Sequence, residues 1–331
     1  MNKLYIATKH LYAKALSHLK PIWSIAPEYL QQDVNSGECN NRCVYCNVNP
    51  DAAYGTKPQD MPTSIFNDAL AATKPFRHIL RGVACWMNGD PILETRLDEM
   101  HDTVARHGYY GIVDSNGTIP DRVHALMHPA VRTIRISLSA HNRELYKTVH
   151  GTDNFDNVLY TLRYLKAFKK SYQRLFINHM ICKQNIDYVN DFLKRFKGYT
   201  IQLFPLHSSP LQQNSVDNLV DVSKTIRVNP DGSQVDMHAE IRKKQPCQCW
   251  NLQGIGPNGE IMHCVDFPAD YNYGTIYDRP LLEAWHERNS VGVQHPLCQE
   301  CSLLFPEWRD AKDLHERWRQ LRKAENNGGV L

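Results

Sequence analysis

The chain has 331 residues, 42% of them hydrophobic and 22% charged, with a formal net charge of +3. That length suits one large α/β barrel with an appendage, and the composition excludes collagen-like, coiled-coil and disordered architectures. So small a charge gives no electrostatic case for a nucleic-acid partner. No run approaches the ~20 apolar residues of a membrane span, and the start, MNKLYIATKHLYAKALSHLK, does not match a secretory signal. The expected location is cytoplasmic, where ten cysteines point to metal or redox chemistry rather than disulfides.

In chain order, residues 1–32 read as an N-terminal extension, with Leu11, Leu16 and Leu19 at helical spacing. A first cysteine group follows Gly37 on a loop. Short apolar runs at His78–Ala84, Tyr110–Val113, Thr133–Leu138, Leu175–Ile181 and Tyr199–Phe204 read as strands. Between them Ser64–Ala72, Leu97–Arg106, Asn157–Lys169 and Ile186–Phe196 carry apolar residues at three- and four-residue intervals and read as helices. This alternation predicts parallel βαβ units, hence an α/β fold with a partial parallel (β/α)6 barrel over residues 33–211. Ligands of such folds gather at the loops that follow the strands. A polar stretch, residues 212–244, reads as a linker. Residues 245–305 carry the second cysteine group, in a small β-hairpin and helix domain. In 306–331 the residues Trp308, Ala311, Leu314, Trp318 and Leu321 fall on one helical stripe that packs back on the body.

Cys39, Cys43 and Cys46 lie within eight residues, with no fourth cysteine nearby. Three thiolates leave one iron of a four-iron cluster with open coordination, so that a cofactor or substrate can bind the metal directly. Zinc is the plain alternative, although its sites complete a tetrahedron from differently spaced pairs.

The spacing Cys-x3-Cys-x2-Cys, with the aromatic Tyr45 before the last cysteine, resembles the radical S-adenosylmethionine superfamily. The resemblance implies a [4Fe-4S] cluster that chelates S-adenosyl-L-methionine through the open iron. Reductive cleavage then gives a 5′-deoxyadenosyl radical that abstracts hydrogen from the substrate, while the protein aims the radical and excludes quenching groups. Asn88-Gly89-Asp90-Pro91 resembles the Gly-Gly-Glu-Pro segment of that superfamily, with Gly89 and Asp90 expected at the methionine amino group. Asn116 lies in a Thr-Asn-Gly-like turn. Ser137 and Ser139 match the fourth strand, where a serine contacts the ribose, and Asn178 stands on the fifth. His150-Gly151-Thr152 reads as scaffold.

Cys249 is followed after nine residues by Gly259 and after four more by Cys264, with Cys298 and Cys301 forming a distant pair and Cys247 an alternative to Cys249. Gly259 suits a hairpin turn that delivers Cys264. Spacing alone allows a fully ligated cluster or zinc. The order of these cysteines around Tyr273-Gly274-Thr275-Ile276 and Leu282-Glu283-Ala284-Trp285 resembles the SPASM extension in its shortened twitch form, since no cysteine follows Cys301. That implies an auxiliary [4Fe-4S] cluster whose natural role is electron transfer.

The expected function is a radical oxidoreductase acting on a small-molecule or sugar-like substrate, with the auxiliary cluster as electron acceptor and flavodoxin or ferredoxin as reductant. Cys182, which shares strand parity with Asn178 and Met180, would make the protein an epimerase if it donated hydrogen. A peptide maturase ranks lower, because only 38 residues precede Cys39. From outside enzymology, a zinc-binding or electron-transfer protein is the alternative. Cys85 is expected to be a small buried side chain.

Overall fold

The computed structural model describes residues 21–46, 58–206, 225–242, 244–247, 249–265, 271–301 and 304–326. The stripe at Leu11, Leu16 and Leu19 lies outside them.

Six parallel strands form the centre: β1 (Tyr29–Gln32), β4 (Gly82–Ala84), β5 (Tyr110–Ser115), β6 (Val131–Ser137), β7 (Arg174–Ile181) and β8 (Thr200–Pro205). A two-stranded hairpin of β2 (Asn35–Ser36) and β3 (Gln59–Asp60) stands after β1. The helices Thr63–Ala72, Leu97–Arg106, Arg143–His150, Phe155–Phe168 and Val189–Arg195 connect successive parallel strands. This is the expected α/β alternation, a partial (β/α)6 barrel whose sheet remains open at both edges.

The two faces of the sheet differ because strand side chains alternate. Val83, Val113, Ile134, Ile136, Leu175, Ile177, Ile201 and Leu203 are buried in one core with Leu97, Val104, Phe155, Leu162 and Phe192 from the helices. The intervening residues Asp114, Arg135, Ser137, Asn178 and Gln202 occupy the opposite, inner face. Because the strands run in parallel, the loops after β1, β4, β5, β6 and β7 share one rim.

Several boundaries differ from the sequence reading. β1 falls within residues 1–32, which were expected to be an extension. It pairs with β4 on one side and with β11 (Leu252–Ile255) on the other. Part of the expected linker, residues 225–242, is also structured: β9 (Ile226–Val228) pairs antiparallel with β8, β10 (Gln234–Asp236) pairs with β9, and the helix Met237–Ile241 follows. The expected hairpin is present, with Gly259 at φ 85° in the turn between β11 and β12 (Glu260–Met262), and β13 (Asn272–Thr275) adds an outer strand. The hairpin therefore continues the main sheet through β1.

The last stripe packs as expected but is not one helix. Trp308 ends a 3-10 turn, Pro306–Trp308, and the helix begins only at Leu314. The Asp313 carboxylate stops it there by accepting the free N–H groups of His315 and Glu316 at 2.8 and 3.0 Å, as an N-cap does. Trp308, Leu314, Trp318 and Leu321 join Trp23, Trp250 and Trp285 in a second core around Cys298. Trp285, on the helix Leu281–Val291, is fully buried and donates its indole N–H to the Trp23 carbonyl at 2.7 Å. Trp285→Ala is expected to cost about 3–5 kcal/mol of stability, the usual range for a buried aromatic truncated to alanine, as read by urea denaturation; a loss below ~1 kcal/mol would show that this second core is not cohesive.

Candidate metal and cofactor centre

The loop carrying Cys39, Cys43 and Cys46 is held from two sides. On one side, the Arg42 and Val44 N–H groups donate to the His150 and Val149 carbonyls at 2.9 and 3.0 Å. These carbonyls belong to the last turn of the helix Arg143–His150, which has no partners of its own for them. Gly151 caps this helix at φ 69°, and a Cβ there would stand 2.5 Å from the Arg42 carbonyl oxygen. On the other side, the Gly37 N–H donates to the Asn88 carbonyl at 2.6 Å and the Asp90 N–H to the Glu38 carbonyl at 2.7 Å. Asp33 fixes Asn88 by accepting both its backbone and its amide N–H at 2.9 Å.

The residues between the cysteines are pinned as well. Asn40 donates to Thr118 Oγ1 at 2.7 Å and accepts from the Asn116 amide at 2.7 Å. Asn41 donates to the Tyr146 hydroxyl at 3.1 Å and accepts from Thr152 at 2.8 Å. These two asparagines, Asp33 and β1 escaped the sequence reading. Asparagine is common in any loop, and only the tertiary partners give these their role.

The residues expected at S-adenosylmethionine divide into two sets. Gly89 is where the chain passes closest to Asn35: a Cβ would fall 2.0 Å from the Asn35 carbonyl oxygen. Asp90 accepts three hydrogen bonds from the protein, from Ile92 N and the Ser115 hydroxyl on one oxygen and from Asn116 N on the other, at 3.0, 2.8 and 2.6 Å. Burial pushes its pKa up to about 6 against those donors. It thus ties the loops after β4 and β5 together. Asn116 Nδ2 lies 3.7 Å from Cys39 Sγ, beside the cysteine loop. The Ser139 hydroxyl accepts from Met180 N at 2.9 Å and lies 3.3 Å from the Tyr45 hydroxyl. Ser137 and Asn178 remain on the inner face.

That face has unmet hydrogen-bonding capacity. Arg135 pairs with Asp114 at 3.0 Å and Asn178 reaches the same carboxylate oxygen at 3.4 Å. Asp114 Oδ1, Asn178 Oδ1 and Gln202 Oε1 are buried without a partner in the protein. Such groups are costly unless a ligand or water satisfies them. Cys182 is fully buried in an apolar cluster with Val149 and Leu206, against Tyr45 and Met180. Cys85 is fully buried in the main core, as expected.

The chemistry of the thiols fits a multinuclear cation. Burial pushes Cys39 up to about 12 and Cys43 well above the usual thiol range, and in both the neighbouring cysteine charges add to the effect. Thiols raised in this way ionise together only when a positive centre compensates them. Among the described residues, no three His, Cys, Asp or Glu side chains already converge as ligands of a single metal ion.

In the second group, burial and the charges of Cys301 and Cys298 raise the Cys247 thiol, which places these three together; the Cys249 N–H hydrogen-bonds the Cys247 sulfur. Burial pushes Cys298 up to about 11, against the lowering charge of Arg288. His263 Nε2 lies 3.3 Å from Cys298 Sγ, and its Nδ1 lies 2.7 Å from the Tyr273 hydroxyl. β12 leads directly to Cys264.

A cysteine loop at the C-terminal rim of parallel strands, above a polar inner face, is the architecture of a cofactor-dependent barrel enzyme. The family comparison agrees: residues 36–196 match the Radical SAM superfamily, and the chain carries a radical SAM domain. Members of that superfamily are enzymes, and the domain implies a [4Fe-4S] cluster and S-adenosylmethionine. A probable GTP 3′,8-cyclase of Saccharolobus islandicus is 22% identical over 235 residues, covering 69% of this chain and 70% of its own. In fold, the chain is similar to anSMEcpe with bound AdoMet, at a TM-score of 0.60 and 14% identity over 90% of this chain and 97% of that one. It is also similar to Streptococcus suis SuiB bound to the precursor peptide SuiA, at 0.56 and 15% over 88% and 72%.

Because the Asn35 carbonyl leaves no room for a Cβ at Gly89, Gly89→Ala is expected to displace the clamp on Cys39 at an overpacking cost of about 1–3 kcal/mol. Iron bound by the anaerobically reconstituted protein should fall while far-UV circular dichroism holds; full iron loading would contradict the clamp.

Proposed function

We propose that the protein is a radical S-adenosylmethionine oxidoreductase that dehydrogenates a small polar substrate held on the inner face of the barrel. Cys39, Cys43 and Cys46 hold the [4Fe-4S] cluster, which when bound supplies an open iron for S-adenosylmethionine and the electron that cleaves it. The single observation that carries the reading is the placement of these three thiols at the strand rim, clamped from both sides, over a face with unsatisfied buried acceptors. Asp114, Asn178 and Gln202 offer acceptor oxygens to a substrate rich in O–H or N–H donors, and Arg135 offers a cation beside them. This complementarity favours a sugar-like or amino-substituted small molecule. Ser137 and Asn178, together with the rim around Gly89 and Asn116, border the place of the methionine and ribose.

Residues 245–305 form the auxiliary site in this reading, with an auxiliary [4Fe-4S] cluster held by Cys249, Cys264, Cys298 and Cys301. The closeness of Cys247 to Cys298 and Cys301 supports Cys247 as the alternative to Cys249. A fully ligated cluster accepts an electron without binding substrate, which suits dehydrogenation. Flavodoxin or ferredoxin supplies the first electron. A cytoplasmic location fits this chemistry, and among the described residues no helix is long and apolar enough to cross a membrane.

A peptide substrate is the second reading. It is supported by fold likeness to anSMEcpe carrying the Cp18Cys peptide, at a TM-score of 0.59. An epimerase would need Cys182 to return hydrogen, and its fully buried place in an apolar cluster gives that role less support.

Two four-iron clusters require about eight irons per chain. Anaerobically reconstituted protein is expected to bind that number and to release 5′-deoxyadenosine from S-adenosylmethionine on reduction. Cys43→Ala should bind about four and release none. Zinc in place of iron, or no cleavage by fully loaded protein, would overturn the assignment.

A further inference from the structure

His150 reads in the sequence as part of a scaffold loop, yet its imidazole lies between the cysteine loop and the strand wall, with both ring nitrogens engaged. Nε2 accepts the backbone N–H of Ser139 at 3.0 Å. A nitrogen that accepts a hydrogen bond carries no proton, so the proton of the neutral ring is on Nδ1. Nδ1 stands 3.2 Å from Cys43 Sγ. The tautomer is therefore set by a main-chain group that cannot reverse its polarity, and the remaining N–H points to a thiolate sulfur. The ring has little freedom to turn away. It is fully buried and stacked on Tyr146 at 4.3 Å between centroids, and the Tyr146 hydroxyl in turn accepts from Asn41 in the same loop.

We propose that His150 is a positioning residue that donates Nδ1–H to the Cys43 sulfur and thereby raises the reduction potential of the cluster at the first cysteine loop. The proposal rests on the assignment of Cys39, Cys43 and Cys46 as cluster ligands. Reduction adds negative charge that spreads onto the ligand sulfurs, so a fixed donor stabilises the reduced form more than the oxidised one. No proton is transferred; the hydrogen bond only strengthens on reduction. Since this cluster must be reduced before it can pass an electron on, the donor eases the first step of the cycle. A scaffold histidine would contribute packing alone.

The test is a potentiometric titration of the reconstituted protein followed by electron paramagnetic resonance. His150→Phe keeps the aromatic stack and removes the donor, whereas His150→Gln offers one acceptor and one donor in its place. His150→Phe is expected to shift the first cluster to a lower midpoint by about tenfold in the reduced-to-oxidised ratio, or 59 mV for one electron, with His150→Gln recovering part of the shift. A double variant with Cys298→Ala removes the second cluster signal from the comparison. In Cys298→Ala protein, where the second cluster and its contact with His263 are removed, labelling histidine with 15N should reveal a nitrogen coupled to the reduced first cluster, and this holds even if the His150 variants fail to fold. An unchanged midpoint in His150→Phe, or a reduced first cluster with no histidine nitrogen coupled to it, would overturn the proposal. Wild-type protein that forms no iron–sulfur signal would instead overturn the cluster assignment beneath it.

Discussion

The main-chain hydrogen bonds between the cysteine loop and the end of the helix Arg143–His150 are the constraint on which the site depends. A helix ends with carbonyls that lack donors, and a loop rich in metal ligands has N–H groups that lack acceptors. Here each supplies the other's deficit, through Arg42 with His150 and Val44 with Val149. The bonds are main-chain, so they fix the path of the loop without restricting its side chains. Gly151 is the residue that permits the approach, since a side chain there would meet the Arg42 carbonyl.

The opposite clamp works by the same logic with different parts. Asn88, Gly89 and Asp90 press against Gly37 and Glu38, and the Asp90 carboxylate gathers the loop after β5 into the arrangement. The rim is thus a set of strand-end loops hydrogen-bonded to one another rather than a row of independent loops. Beneath it, the sheet separates an apolar face for the helices from a polar face for ligands. The oxygens of Asp114, Asn178 and Gln202 that lack a protein partner on the polar face are costly unless a ligand or water meets them.

Much of this was legible in the sequence. The strand–helix alternation from β4 to β8 appears as periodicity, and the helix Leu97–Arg106 was bounded as observed. β1 was not legible, because Tyr29-Leu30-Gln31-Gln32 is short and half polar; its place is set by pairing with β4 and β11 rather than by its own pattern. β9 and β10 were hidden for the same reason within a polar stretch. The stripe from Trp308 to Leu321 identified the right buried residues but not the helix start, which a single capping carboxylate, Asp313, decides. At the site, residue types were readable and their free valences were not. Asp90 and Ser139 have the side chains a ligand contact needs, but the neighbours that also hydrogen-bond them could not be read from the sequence. His150 illustrates the converse: a residue read as scaffold has its tautomer set by Ser139, which is what carries the role proposed for it.

The central claim is that three clamped thiolates hold a cluster with one iron open to S-adenosylmethionine. Its most direct test is the electron paramagnetic resonance spectrum of the reduced protein before and after S-adenosylmethionine labelled with 15N in its methionine amino group is added. The account predicts that the signal of the first cluster changes and acquires coupling to the labelled nitrogen, because the ligand binds the iron itself. A spectrum unaltered by S-adenosylmethionine, with no such coupling, would contradict it.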